Sequence, residues 1–143
     1  MNADLCAKKR MGTSNKRRPV VPEPLRGYFF LPADGAEIRL NPTEASLFRL
    51  FLAHPEGISA GNLSLYWEEL RQIYGQESLY DDIGLQENAL KSLCAGPKTI
   101  FYSNISRIKK KFTDALGPKR AALFFIHRSP DGLYRTEAIL LSS

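Results

Sequence analysis

The chain has 143 residues, 43% of them hydrophobic and 24% charged, with a formal net charge of +5. That is the balance of a globular domain of about 100–200 residues, which excludes a fibrous or wholly disordered chain. No apolar run reaches the roughly 18 residues of a membrane span, and none follows the N-terminal charges as in a signal peptide, so the expected setting is cytoplasmic.

Residues 1–26 lack periodic apolar side chains. They hold the clusters Lys8-Lys9-Arg10 and Lys16-Arg17-Arg18, and then Pro19, Pro22 and Pro24 in close succession. They read as a disordered basic tail, able to touch phosphates or simply solvated. Residues 27–143 read as one folded domain. Its first residues suggest two short strands: Gly27 to Leu31 is aromatic and apolar, Asp34-Gly35 supplies turn chemistry, and Glu37 to Leu40 alternates polar and apolar.

A first helix should start at Asn41, with Pro42 in its first turn and Glu44 placed to close a capping box. Leu47, Phe48, Leu50, Phe51 and Leu52 would bury it, and His54-Pro55-Glu56-Gly57 should end it. His54 suits a helix C-terminus, where a cation complements the helix dipole. A second helix is expected from near Ser59. Leu63, Tyr66, Trp67, Leu70, Ile73 and Tyr74 fall on one stripe, so its aromatics read as core.

Residues 75–97 are punctuated by Gly75, Gly84, Gly96 and Pro97, with a short helix expected over Leu85 to Cys94. Asp81 and Asp82 read as a solvated cap. The third helix should run from Thr99 to Leu116 and stop at Gly117-Pro118. Phe101, Ile105, Ile108, Phe112 and Leu116 make a narrow apolar stripe. Thr99, Ser103, Ser106, Arg107 and Lys110 lie opposite, with Tyr102 and Lys109 on one flank and Lys111 on the other. The end of the chain reads as a β-hairpin: a strand at Ala121 to Ile126, a turn holding Arg128, and a return from Tyr134 to Leu141 that carries Arg135. The expected core includes Phe48, Phe51, Trp67, Leu70, Ile105, Ile108 and Phe112.

Strands, three helices and a hairpin, with a hydroxyl-rich basic face on the third helix, make an α+β winged helix. Its third helix suits the major groove of double-stranded DNA, which admits one helix and is read by short polar side chains and by Arg or Lys. Charge placement agrees. Residues 1–26 hold seven bases against two acids, residues 27–97 four against ten, and residues 98–143 nine against three, or +5, −6 and +6 in turn. A localised basic surface points to a polyanionic partner.

Four segments carry a family resemblance. Ile105-Ser106-Arg107-Ile108-Lys109-Lys110-Lys111-Phe112 resembles the recognition-helix signature of OmpR/PhoB-type effector domains. Leu40-Asn41-Pro42-Thr43-Glu44 resembles the start of that family's first helix, and His54-Pro55-Glu56-Gly57 the turn after it. Gly132-Leu133-Tyr134-Arg135 is a loose echo of its wing. The resemblance covers about residues 27–141 and implies a transcription regulator that binds DNA through Ser106, Arg107, Lys109, Lys110, Lys111 and Arg135. The expected form is a stand-alone effector domain without a receiver domain. It departs from the family in having about two N-terminal strands instead of four and a longer stretch between its second and third helices. In the family that stretch can meet RNA polymerase, so residues 75–97 are a candidate contact for the polymerase or another protein.

The competing reading is a winged helix used only for protein contacts. Residues 27–143 hold 13 bases and 13 acids, so the basic third can pair with the acidic middle within the fold or across a homodimer. An enzyme is disfavoured. There is no Gly-rich phosphate loop or nucleophile elbow. Cys6, Cys94, His54 and His127 are too scattered for a metal site, so no cofactor is expected. The two readings part on whether the polar face of the third helix stays uncovered.

Overall fold

Residues 18–23, 27–77 and 83–141 are described by a computed structural model, with the backbone alone at 77 and 83–87. Helix α1 (Pro42–Ala53) begins at the expected capping box. Asn41 Oδ1 accepts the Glu44 N–H at 2.8 Å, and Glu44 Oε1 accepts the Asn41 N–H at 3.1 Å. Such caps are worth about 1 kcal/mol. His54 is its C-cap residue.

Three strands precede the helix: β1 (Arg18–Pro22), β2 (Tyr28–Leu31) and β3 (Ala36–Arg39). The sheet has four strands in the order β3-β2-β1-β6, where β6 is Ala138–Leu140 near the C-terminus. β1 runs antiparallel to β2, with Val21 opposite Phe30, and parallel to β6, with Val20 opposite Leu140. Residues 18–22 therefore belong to the folded domain and not to a disordered tail. Their prolines mislead because Pro19 and Pro22 stand in a strand whose middle residue, Val20, is fully buried. The basic clusters at 8–10 and 16–17, together with Cys6, Arg26, Asp81 and Asp82, lie outside the described residues.

The second helical segment is divided. A 3-10 helix (Ala60–Tyr66) begins at Ser59, whose Oγ accepts the Gly61 N–H at 3.3 Å, and α2 (Trp67–Glu77) continues it. Leu63, Leu70 and Tyr74 are buried, whereas Trp67 only packs against the edge of the core. Helix α3 (Ile83–Ala95) is longer than expected and buries Leu90 and Leu93. Helix α4 (Lys98–Leu116) comes next, buries Phe101, Asn104, Ile105, Ile108 and Phe112, and ends at Gly117 with φ 84°.

The expected strand at 121–126 is mostly helical: α5 (Pro118–Ala121) is followed by a 3-10 turn (Ala122–Phe124). Ala121 and Phe124 are the buried residues there, a helical spacing that a continuous apolar run conceals. The hairpin comprises β4 (Ile126–Arg128) and β5 (Tyr134–Thr136). Beyond it the chain changes sheets at Glu137 to become β6. Buried Thr136 marks the change: its Oγ1 donates to the Phe124 carbonyl at 3.0 Å and accepts the Ala138 N–H at 3.2 Å.

The core links sheet to helices through aromatic rings. Phe29 meets Phe48 edge-on at 5.7 Å, Phe48 meets Phe112 at 5.3 Å, and Phe112 stacks on Phe124 at 5.1 Å. Phe112 thus turns the apolar stripe of α4 inward and its polar face outward.

Candidate nucleic-acid interface

Thr99, Ser103, Ser106, Arg107 and Lys110 are all exposed on α4. Thr99, Ser103, Ser106 and Arg107, joined by Tyr102, line one shallow open depression of about 430 Å³. Helix α3 packs beside α2, the 3-10 helix and α4 without covering that face. Helical spacing puts Tyr102 only on a flank. It is 43% exposed, a large ring left at the surface beside the hydroxyls.

The bases of this surface divide by partner. Glu44 is 1% exposed, yet it is a carboxylate. Burial of such a charge is costly unless it is paired. Its Oε2 accepts the Arg107 Nε at 3.2 Å, and its Oε1 is the partner of the Lys111 ammonium. The Arg107 side chain stays 55% exposed. Lys111, expected at a phosphate, instead neutralises the capping carboxylate of α1. Lys110 reaches Asp114 one turn on at 3.2 Å, an exposed pair that salt will screen. The Lys109 ammonium sits 5.1 Å from the centre of the Phe125 ring.

The hairpin is tied to the turn after α1. Ile58 and Tyr134 exchange both backbone hydrogen bonds at 2.8 Å. Arg135 Nη2 donates to the Glu56 carbonyl at 2.7 Å and to Asp131 Oδ2 at 2.9 Å. Arg135 is therefore a brace between the hairpin and the turn after α1 more than a free cation. The backbone N–H of Leu133 and then Arg135 hold the Asp131 carboxyl below its usual range. Arg128 stands exposed on β4, as does His127 beside it.

Lys98 and Arg128 are among the cations that pair with no carboxylate of the described residues. They share a pocket of about 250 Å³ with Ser59, Ala60, Gly61, Tyr102, Gly132 and Tyr134. Sequence reasoning misses Lys98 because it begins the helix one residue later, at Thr99. Ser59 reads only as a cap, and the approach of the hairpin to the first turn of α4 has no local sequence signal.

His54 serves structure. Its Nδ1 lies 2.9 Å from Glu56, its Nε2 lies 2.9 Å from Glu69 of α2, and its ring meets Tyr66 edge-on at 4.8 Å. Burial lowers its pKa, but the hydrogen bonds and charges of Glu69 and Glu56 outweigh it, and the net direction is upward. Burial raises the thiol of Cys94 to about 11, which leaves it protonated and unreactive at neutral pH.

Among the described residues, no group of three or more metal-ligating side chains occurs, and no helix is long and apolar enough to cross a membrane. No protein-family model, curated protein or solved structure matches the chain.

Proposed function

We propose that the chain is a winged-helix protein that binds double-stranded DNA in a sequence-specific way, with α4 as the recognition helix and the β4–β5 hairpin as the wing. The observation that carries this reading is the uncovered face of α4, where Thr99, Ser103, Ser106 and Arg107 line one depression. Short hydroxyl side chains allow close approach to base edges, and an arginine fork can bond guanine O6 and N7 together. Arg107 is suited to this because Glu44 holds its Nε while the side chain stays half exposed. A side chain fixed in advance loses less entropy on binding.

The OmpR/PhoB-like motifs extend the proposal to a cytoplasmic transcription regulator. Its α3 region would meet RNA polymerase or another protein, and it would bind as a monomer or homodimer. Selection of bound duplexes from a random pool, followed by titration of the selected site, tests it.

The protein-interaction reading has one observation in its favour. Acidic-middle and basic-third residues do pair within the fold, as Glu44 with Arg107 and Lys111 and as Asp34 with Arg120 at 3.1 Å. These pairs neutralise part of the charge that would otherwise attract DNA. Of the residues lining the α4 depression only Arg107 takes part in them, its side chain stays half exposed, and for that reason DNA binding is preferred.

A further inference from the structure

The pocket between the 3-10 helix, the first turn of α4 and the hairpin differs in character from the face of α4. Its lining joins three segments distant in sequence: Ser59 to Gly61, Lys98 with Tyr102, and Arg128 with Gly132 and Tyr134. The Ile58–Tyr134 backbone pair locks the first of these to the third.

The lining is rich in donors and contains no acid. The Lys98 ammonium has three N–H bonds and the Arg128 guanidinium five. Tyr102 and Tyr134 bring phenol hydroxyls to the same place, with ring centres 6.4 Å apart. Burial and then the neighbouring Tyr102, by its charge and a hydrogen bond between the two phenols, raise the Tyr134 phenol, while Arg128 pulls it back. Ser59 Oγ accepts the Gly61 N–H, which leaves its own proton to donate. A Cβ added at Gly61 would lie 3.9 Å from both Lys98 Nζ and Ser59 Oγ. The backbone there is therefore bare beside both groups. The turn's own acid, Asp131, is engaged by Arg135 and by the Leu133 N–H.

Two cations without a carboxylate partner, lining one pocket with three hydroxyls, suit an anion of high charge density. We infer that this pocket binds a phosphate group, with Lys98 and Arg128 as its charge partners and Tyr102, Tyr134 and Ser59 as neutral donors. At about 250 Å³ the pocket falls below the roughly 300–1,000 Å³ of sites that enclose a drug-sized ligand. It takes the phosphate itself and leaves the rest of the ligand outside. That phosphate is either one of a duplex backbone or the end group of a small phosphomonoester. Arg107, Ser103 and Ser106 do not line the pocket, so the site stands without the DNA reading.

The test is a titration of the full chain with inorganic phosphate at constant ionic strength, followed by amide chemical shifts. Saturable shifts confined to residues 59–61, 98–102 and 128–134 are expected. The Lys98→Gln/Arg128→Gln double variant should weaken binding by about tenfold or more, as expected for lost charge-assisted bonds. Tyr102→Phe should weaken it by a smaller factor, and Lys119→Gln, an exposed base of α5 outside the pocket, should leave it unchanged. Unsaturable shifts spread over all basic residues, or a double variant that binds as wild type, would overturn the inference. A second arm adds a short duplex to the phosphate-loaded protein. Displacement of phosphate assigns the pocket to the DNA backbone. Duplex binding without displacement, or no duplex binding at all, assigns it to a free phosphomonoester.

Discussion

Glu44 and Arg107 lie 63 positions apart in sequence, and the arginine Nε donates to the carboxylate Oε2 at 3.2 Å. The same carboxylate closes the capping box of α1 through the Asn41 N–H. One buried acid therefore joins the start of the first helix to the outer face of the fourth. Glu44→Gln keeps the shape and removes the charge. It should lower stability by about 1–3 kcal/mol in urea unfolding. It should also weaken a preferred duplex more than random DNA, because Arg107 loses its anchor. Unaltered stability together with equal losses on both duplexes would show that the pair positions nothing.

Ile108 is 1% exposed and lies on the inward stripe of α4. Ile108→Ala should cost about 2–5 kcal/mol, the range for emptying a packed aliphatic site. Denaturant unfolding measures it directly. A loss of only a few tenths would mean that α4 is not seated on this stripe.

Gly57 has φ 102°, and a Cβ there would stand 3.0 Å from both Arg135 Nη2 and Leu133 Cβ. Gly57→Ala should thus cost about 1–2 kcal/mol in backbone strain alone. It should also speed amide exchange at Ile58 and Tyr134 as the brace loosens. A neutral substitution would indicate that the hairpin is not held by this turn.

His54 sets a pH dependence. Its folded pKa is raised from the ordinary 6.5 by Glu69 and Glu56 against the opposing effect of burial. A raised histidine contributes stability that is complete below the unfolded pKa and is lost as pH rises through the folded one. The stability gap between wild type and His54→Gln should therefore be widest below the ordinary 6.5 and shrink as pH rises above it. A gap that widens with rising pH contradicts the pairing with Glu69.

Local chemistry makes much of this fold legible. The capping box at Asn41, the stripe of α4 and its stop at Gly117 depend on neighbours a few residues away, and each lies where periodicity puts it. β1 is hidden because its partners are β2 and β6, and the pairing of Arg18 with Ala138 leaves no trace near Arg18. The helical turn at Ala121 is hidden because a short apolar run fits strand and helix alike. At the candidate site, spacing identifies the exposed hydroxyls but not their electrostatics. Lys111 and Arg107 belong to Glu44, while Lys98 and Arg128 share a pocket, and both arrangements arise from tertiary contacts over 30 to 67 residues.

If Lys98 and Arg128 meet backbone phosphates, each charge removed should flatten the salt dependence of duplex binding by about one unit. Lys111→Ala should instead act mainly on stability, because it leaves Glu44 buried with one cation fewer. Equal salt slopes for wild type, Lys98→Gln and Arg128→Gln would place the phosphate contacts elsewhere.

Whether the outer face of α4 reads duplex DNA is decided by comparing wild type with Arg107→Ala. Both are titrated by fluorescence anisotropy against a selected duplex and a scrambled one of equal length at two salt concentrations. Arg107→Ala should lose about 1–3 kcal/mol on the selected duplex and little on the scrambled one. Binding by wild type should weaken on both duplexes as salt rises. If wild type binds neither duplex at low salt, or if Arg107→Ala binds both as wild type does, α4 does not read DNA.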